Sequence, residues 1–255
     1  MKVLSISSQV VWGPVGNSAA VPALQARGHE VLALPTITLS NHPGHGAPAG
    51  FRTPTDDMAR MFAALEALGA LSDLDAVLTG YFATVGQVEE VARLLDRVRV
   101  PFLLVDPVMG DHGKLYIAPE VAEAIRDHLV PRATCVTPNG FELAWLSGLE
   151  VTDEASAIAA AHALLVPEVI ATSIPCAEGL ATLLVTPGQS HRTVAAKLDK
   201  VPHGTGDFLS GLYLAERLSH PPHRAFAAAM ETLSRAIWRS AGSSVLDVAG
   251  ALHGS

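Results

Sequence analysis

The sequence predicts a single three-layer α/β/α sandwich built on a mainly parallel central sheet. Two patterns lead there. Short apolar runs alternate with segments whose apolar residues recur at helical spacing, and each such run reads as a strand covered on both faces. A length of 255 residues suits one large domain spanning residues 1–255.

Residues 3–7, 31–36, 76–79, 102–105 and 134–137 read as the buried strands. In the gap between the second and third, Thr55 is placed to cap a helix, Asp56 and Asp57 suit its positive first turn, and Met58, Met61, Phe62, Leu65 and Leu68 form the inward stripe. Val88, Val91, Leu94, Leu95 and Val98 give the next helix its apolar face. The rhythm then changes. Residues 169–172, 180–186 and 190–197 read as strands joined by short connections containing Gly179 and Pro187-Gly188, which predicts an antiparallel edge. Two helices follow, over 205–218 and 222–240, the second entered through Pro221-Pro222. Residues 40–54 hold three glycines, three prolines and two histidines, and predict an irregular loop of the kind used as a lid.

Composition narrows the function. Hydrophobic residues at 49% against 16% charged exclude a disordered chain, and a net charge of −8 argues against nucleic-acid binding, leaving small molecules as the expected partners. Cys135 and Cys176 form neither a disulfide framework nor a zinc spacing. The N-terminal apolar run is too short for a signal peptide and no segment has the length of a membrane span, so a cytoplasmic location is expected. The histidines, among them His42, His45, His112, His191 and His203, show no metal-ligand spacing.

Chemistry concentrates in Gly204-Thr205-Gly206-Asp207. Two glycines let backbone amides approach an anion at the start of a helix, and a carboxylate beside them can take a proton from a hydroxyl attacking a phosphoryl group. Taken alone, the run also reads as a glycine loop with a favourable first-turn aspartate. Its companions decide. Ser8-Gln9-Val10-Val11-Trp12-Gly13 with Gly16-Asn17-Ser18-Ala19-Ala20, then Ser40-Asn41-His42, Gly80-Tyr81, Asp106-Pro107-Val108-Met109-Gly110-Asp111 and Thr137-Pro138-Asn139 with Glu142 and Leu143 occur in that order before it.

In this set and order the motifs resemble those of pyridoxal kinases, members of the ribokinase-like superfamily, over residues 2–218. The resemblance implies ATP-dependent phosphorylation of the 5′-hydroxymethyl group of a B6 vitamer, with Asp207 as general base and the amides of Gly204, Thr205, Gly206 and Asp207 around the transferring phosphoryl group. It implies Ser8, Tyr81 and the turn His42, Pro43, Gly44 at the vitamin ring, and Asp106, Thr137, Asn139 and Glu142 toward the nucleotide, with Asp106 and Glu142 serving Mg²⁺. A homodimer is implied as well. Asn139 also reads as a helix cap. Two departures stand out. Pro43-Gly44-His45 replaces a threonine and a nearby aromatic, and Thr172-Ser173 stands where a lysine is expected; Lys197 or Lys200 is then the candidate cation. A hydroxymethylpyrimidine kinase of the same superfamily and a catalytically weak pyridoxal or nucleotide binder are the alternative readings.

Overall fold

Residues 1–196, 198 and 201–253 are described by a computed structural model. The chain opens with β1 (Lys2–Trp12), α1 (Asn17–Gln25), β2 (Glu30–Asn41), β3 (Gly50–Arg52) and α2 (Thr55–Ala67). It continues through β4 (Ala76–Thr79), α3 (Val85–Arg97), β5 (Phe102–Val105), the small hairpin β6 (Gly110–Asp111) and β7 (Lys114–Leu115), and α4 (Pro119–Ala124). Next come β8 (Cys135–Val136), α5 (Gly140–Ser147), α6 (Glu154–Ala163) and the meander β9 (Glu168–Cys176), β10 (Gly179–Thr186) and β11 (Gln189–Ala195). Three helices close it: α7 (Thr205–Arg217), α8 (Pro222–Arg239) and α9 (Val248–Leu252).

The main sheet runs β11-β10-β9-β8-β5-β4-β1-β2-β3. Its six middle strands, β9 to β2, are parallel, while β10 and β11 at one edge and β3 at the other are antiparallel. The expected architecture and its antiparallel edge are therefore present. Alternate strand residues divide between two cores: Leu4, Ile6, Val77, Leu103, Val105 and Val136 face α2 to α6, while Val3, Ala76, Leu78, Phe102, Leu104 and Cys135 face α1, α7, α8 and α9. Both faces are covered, which explains apolar runs with no polar alternation.

Four local expectations are corrected. Thr55 is the first residue of α2 rather than its cap; Pro54 holds the cap position and no side chain bonds there. Met61 and Leu68 lie outside the buried stripe, which is carried by Met58 and Phe62, because α2 packs through one narrow face only. β1 and β2 run well past residues 7 and 36. The added part of β1 is tied to α1 by Ser18, whose Oγ accepts from Gln9 Nε2 (2.7 Å) and Val10 N (3.2 Å) and donates to Val10 O (2.9 Å). Finally, the 40–54 loop is partly regular, with a 3₁₀ turn at Pro43–His45 and β3 paired to β2 through Thr38 and Phe51.

One buried ion pair fixes α7 to the sheet. Glu168 at the start of β9 is 5% exposed, accepts from Arg217 (Nη2 at 2.8 Å, Nε at 3.0 Å) and from the Tyr213 hydroxyl at 2.5 Å. Removing the cation leaves a buried carboxylate with one neutral donor. Arg217→Met is expected to cost about 3–5 kcal/mol, read as a lower urea midpoint at unchanged m value, and Glu168→Gln in that background should recover part of the loss. An unchanged midpoint in Arg217→Met would show that the pair does not anchor the helix.

Candidate active site

The carboxyl ends of the parallel strands converge with the N-terminus of α7, the place where open α/β sheets hold ligands. Asp106 follows β5 directly and is buried. Its Oδ2 accepts from Ser210 Oγ at 2.9 Å, and Ser210 Oγ lies 2.9 Å from Thr137 Oγ1 beyond β8. A chain of hydroxyls thus links two strand ends to α7. Burial first, then the charges of Asp207 and Glu142, push the Asp106 carboxyl well up.

The turn after Asp106 is strained. Val108 sits at φ 37°, a left-handed conformation that a β-branched residue rarely adopts. That conformation aims consecutive amides at carboxylates: Val108 N–H supports Asp106, while Met109 N–H (2.8 Å) and Gly110 N–H (3.4 Å) donate to Glu142 Oε1. Glu142 Oε2 accepts from Asn139 N at 2.9 Å, and Asn139 Oδ1 accepts from Glu142 N at 2.9 Å, a complete capping box at the start of α5. Asn139 also donates through Nδ2 to Gly110 O at 2.8 Å. The cap reading of Asn139 is therefore realised. Burial pushes the Glu142 carboxyl up to about 7 despite these three amides.

Asp207 stands in the first turn of α7, half-buried, with burial raising its carboxyl to about 6 against hydrogen bonds from the Gly16 amide and its own. Gly204 precedes the helix at φ 90°, and a Cβ there would overlap the Pro14 carbonyl oxygen, so glycine is required twice over. Gly16 packs directly on Ser8, which places Ser8 beside the Asp207 end of the site. Tyr81 is half-buried after β4, its amide donating to Ser7 Oγ at 3.2 Å. His42 caps the 3₁₀ turn Pro43–His45 beyond β2, which contains Pro43 and Gly44, and His42 contacts the ring of His203, the residue before Gly204. Lys197 and Lys200 lie outside the described residues. Thr172-Ser173 continues β9, with Thr172 N bonded to Pro138 O at 2.9 Å and Ser173 at φ 58°.

Three neighbours were not singled out from the sequence. Ser210 lies one helical turn after Asp207, a spacing that places both on one face of α7 and could have marked it. Tyr116 gives no local signal. It is exposed and directly follows the β6–β7 hairpin, its amide donating to Met109 O at 3.0 Å, and desolvation, then Glu142, Asp106 and Asp207, push its phenol up. His203 was visible only as one scattered histidine.

The family model described as phosphomethylpyrimidine kinase matches residues 23–250. The chain belongs to that family. The kinase is a ribokinase-like phosphotransferase of the pyridoxal kinase type. It is 38% identical, over 98% of its length and 94% of the relative's, to a pyridoxine/pyridoxal/pyridoxamine kinase of Bordetella bronchiseptica. A pyridoxal kinase of Deinococcus radiodurans is 37% identical over 85% of this chain and 78% of that protein. The structure of the Leishmania donovani pyridoxal kinase in complex with ADP and pyridoxine superposes with a TM-score of 0.89 at 34% identity, covering 99% of this chain and 94% of that one. Among the described residues no helix is long and apolar enough to cross a membrane.

The raised Glu142 carboxyl has a consequence for stability. Its ordinary value is near ~4.3, so between there and about 7 the native state holds a proton that the unfolded chain has released. The contribution of Glu142 to stability is fully present below that window and is lost as pH rises through it. Relative to Glu142→Gln, which does not titrate, the ligand-free wild type should therefore lose urea stability between about pH 4 and pH 8. A difference that is constant across this range, or that grows with pH, would show that the carboxyl is not raised.

Proposed function

We propose that the kinase transfers the γ-phosphoryl group of ATP to the 5′-hydroxymethyl group of pyridoxal, with related B6 vitamers as further acceptors. The observation that carries this reading is Asp207 in the first turn of α7, immediately after two glycines and next to the buried Asp106. The names of the relatives support the substrate, and the ADP and pyridoxine bound by the Leishmania donovani enzyme support the pair of ligands.

Asp207 takes the hydroxyl proton, the oxygen attacks the γ-phosphorus in line, and the bond to the β,γ-bridging oxygen breaks to release ADP. Backbone amides of Thr205, Gly206 and Asp207 at the positive end of α7 receive the negative charge of the moving phosphoryl group. Ser8 and Tyr81, with the turn His42, Pro43 and Gly44, orient the ring. Thr137, Asn139, Asp106 and Glu142 face the nucleotide, and Lys197 is the proposed cation for its phosphates.

Mg²⁺ fits this donor set. A carboxylate has about four acceptor sites; Glu142 uses three on amides and Asp106 uses two on Ser210 and Val108, leaving hard oxygen donors on both. Burial, then Asp207 and Glu142, raise Asp106, and the repulsion among these carboxylates is relieved by a divalent cation. When bound there Mg²⁺ would neutralise triphosphate charge and help hold the phosphates in line.

The family description names a phosphomethylpyrimidine, and the second acceptor reading is the parent hydroxymethylpyrimidine, which is also a flat aromatic alcohol. A product assay with pyridoxal, pyridoxine, pyridoxamine and hydroxymethylpyrimidine separates the two. Phosphorylation of pyridoxal is expected; strong preference for the pyrimidine would overturn the vitamer assignment, and binding of pyridoxal and ATP without product would leave a non-catalytic binder. Association as a homodimer is the accompanying proposal, measured by sedimentation.

Asp207→Asn should lower kcat by about 10²–10⁴-fold while leaving the ATP dissociation constant near that of the wild type. Because the base must be ionised, wild-type kcat/KM should fall as pH drops below about 6. A near-normal kcat in Asp207→Asn removes this residue from the base role. Asp106→Ala is expected to move the Mg²⁺ titration to higher concentration, and an unshifted titration would detach Asp106 from the metal.

A further inference from the structure

Two imidazoles of one turn, His42 and His45, meet the imidazole of His203, distant in sequence, where β1 and β2 end. The His42 and His203 rings lie 4.1 Å apart between centroids at 34°, His45 is 5.4 Å from His203, and the Trp12 ring is 4.6 Å from His45. Four rings thus run in a chain from the end of β1, across the 3₁₀ turn, to the residue immediately before Gly204. A metal site does not account for them. His42 Nδ1 accepts the Gly44 amide at 3.1 Å, which occupies its lone pair, and among the described residues the ring nitrogens do not gather at metal-binding distance.

The contact is fitted rather than incidental. A Cβ at position 44 would overlap Nε2 of His203 and come within 2.9 Å of His42 Nδ1. Glycine at 44 and histidine at 203 are therefore a matched pair: the imidazole fills the space that a side chain on the turn would take. Burial, and then the neighbouring His203 and His45, push the His42 pKa down to about 4. The stacked His42 ring is consequently neutral at physiological pH, and no charge opposes the contact.

We propose that His203 is a positioning residue that sets acceptor specificity: seated on Gly44 and stacked on His42, it latches the 42–46 turn to the entrance of α7 and so fixes the width of the space beside Asp207 that receives a flat heteroaromatic alcohol. The inference rests on the acceptor reading above. It adds that the ring contact holds the turn itself, in place of the threonine and aromatic expected there. Gripping the turn from the catalytic side couples the fit of the acceptor ring to the alignment of its hydroxyl with Asp207.

The test uses His203→Ala, Gly44→Ala, the double variant and His203→Phe. Each single alanine variant should raise the pyridoxal KM roughly two- to tenfold, the range worth one aromatic contact, with the ATP KM unchanged. Gly44→Ala should add nothing in the His203→Ala background, since its clash partner is gone. His203→Phe, which retains a stacking ring, should restore most of the affinity. An unchanged pyridoxal KM, an equal rise in the ATP KM, or additive effects in the double variant would overturn the proposal. A second readout does not depend on turnover: Trp12 emission, isolated by subtracting Trp12→Phe, should change in His203→Ala as His45 leaves the indole. Unchanged Trp12 emission overturns the latch even if no vitamer is phosphorylated, whereas altered emission with no wild-type product sinks only the acceptor reading. Should His203→Ala lose its cooperative melt, Gly44→Ala and His203→Phe carry both measurements.

Discussion

Carboxylates buried together are costly unless something other than water solvates them, and the arrangement at Asp106 and Glu142 answers that constraint with backbone. The amides of Val108, Met109, Gly110 and Asn139 and the hydroxyl of Ser210 provide the donors. Such a cage needs a chain that doubles back sharply after β5, which is why Val108 is held at φ 37°. The strain is localised at one residue, and it positions the end of β5, the start of α5 and the face of α7 relative to one another. Because the donors are dipoles rather than cations, the cluster keeps an appetite for positive charge.

The two halves of the cleft are built differently. On the side of Asp106 and Glu142 the groups are buried, and fixed by strand ends and a helix cap. Around His42, Gly44 and His203 the side chains are half-buried or exposed and held by ring contacts. A phosphate chain presents the same charges whatever the acceptor, so a rigid polar cradle suits it. Acceptors differ in shape and substituents, and a surface of rings can be tuned by exchanging single residues without disturbing the buried carboxylate side.

The sheet and its antiparallel edge were legible because apolar runs and their spacing are local properties. Long strands were less so: the continuation of β1 past Ser7 is tied to α1 through Ser18, a partner that no window of sequence reveals. Thr55 and Leu68 misled for the same reason, since cap geometry and the width of a buried stripe depend on what packs against the helix. Asp106, Glu142 and Asp207 were singled out through the motifs that carry the family resemblance. Ser210, Tyr116 and His203 carry no such motif; tertiary contact alone brings them in, although Ser210 shares a helix face with Asp207.

α7 is pinned at both ends. At its start Gly204 lies hard against the Pro14 carbonyl, and at its end Arg217 and Tyr213 close on Glu168. The helix is thereby the stationary reference of the enzyme, and the alignment it offers is inherited once, at folding, instead of being rebuilt in every turnover. The segments that hang from the sheet ends, the 42–52 arm and the small hairpin at 110–115, lie outside that pinned frame. On the acceptor reading proposed above, variation in those two segments retunes which alcohol is admitted while the trajectory of transfer stays the same.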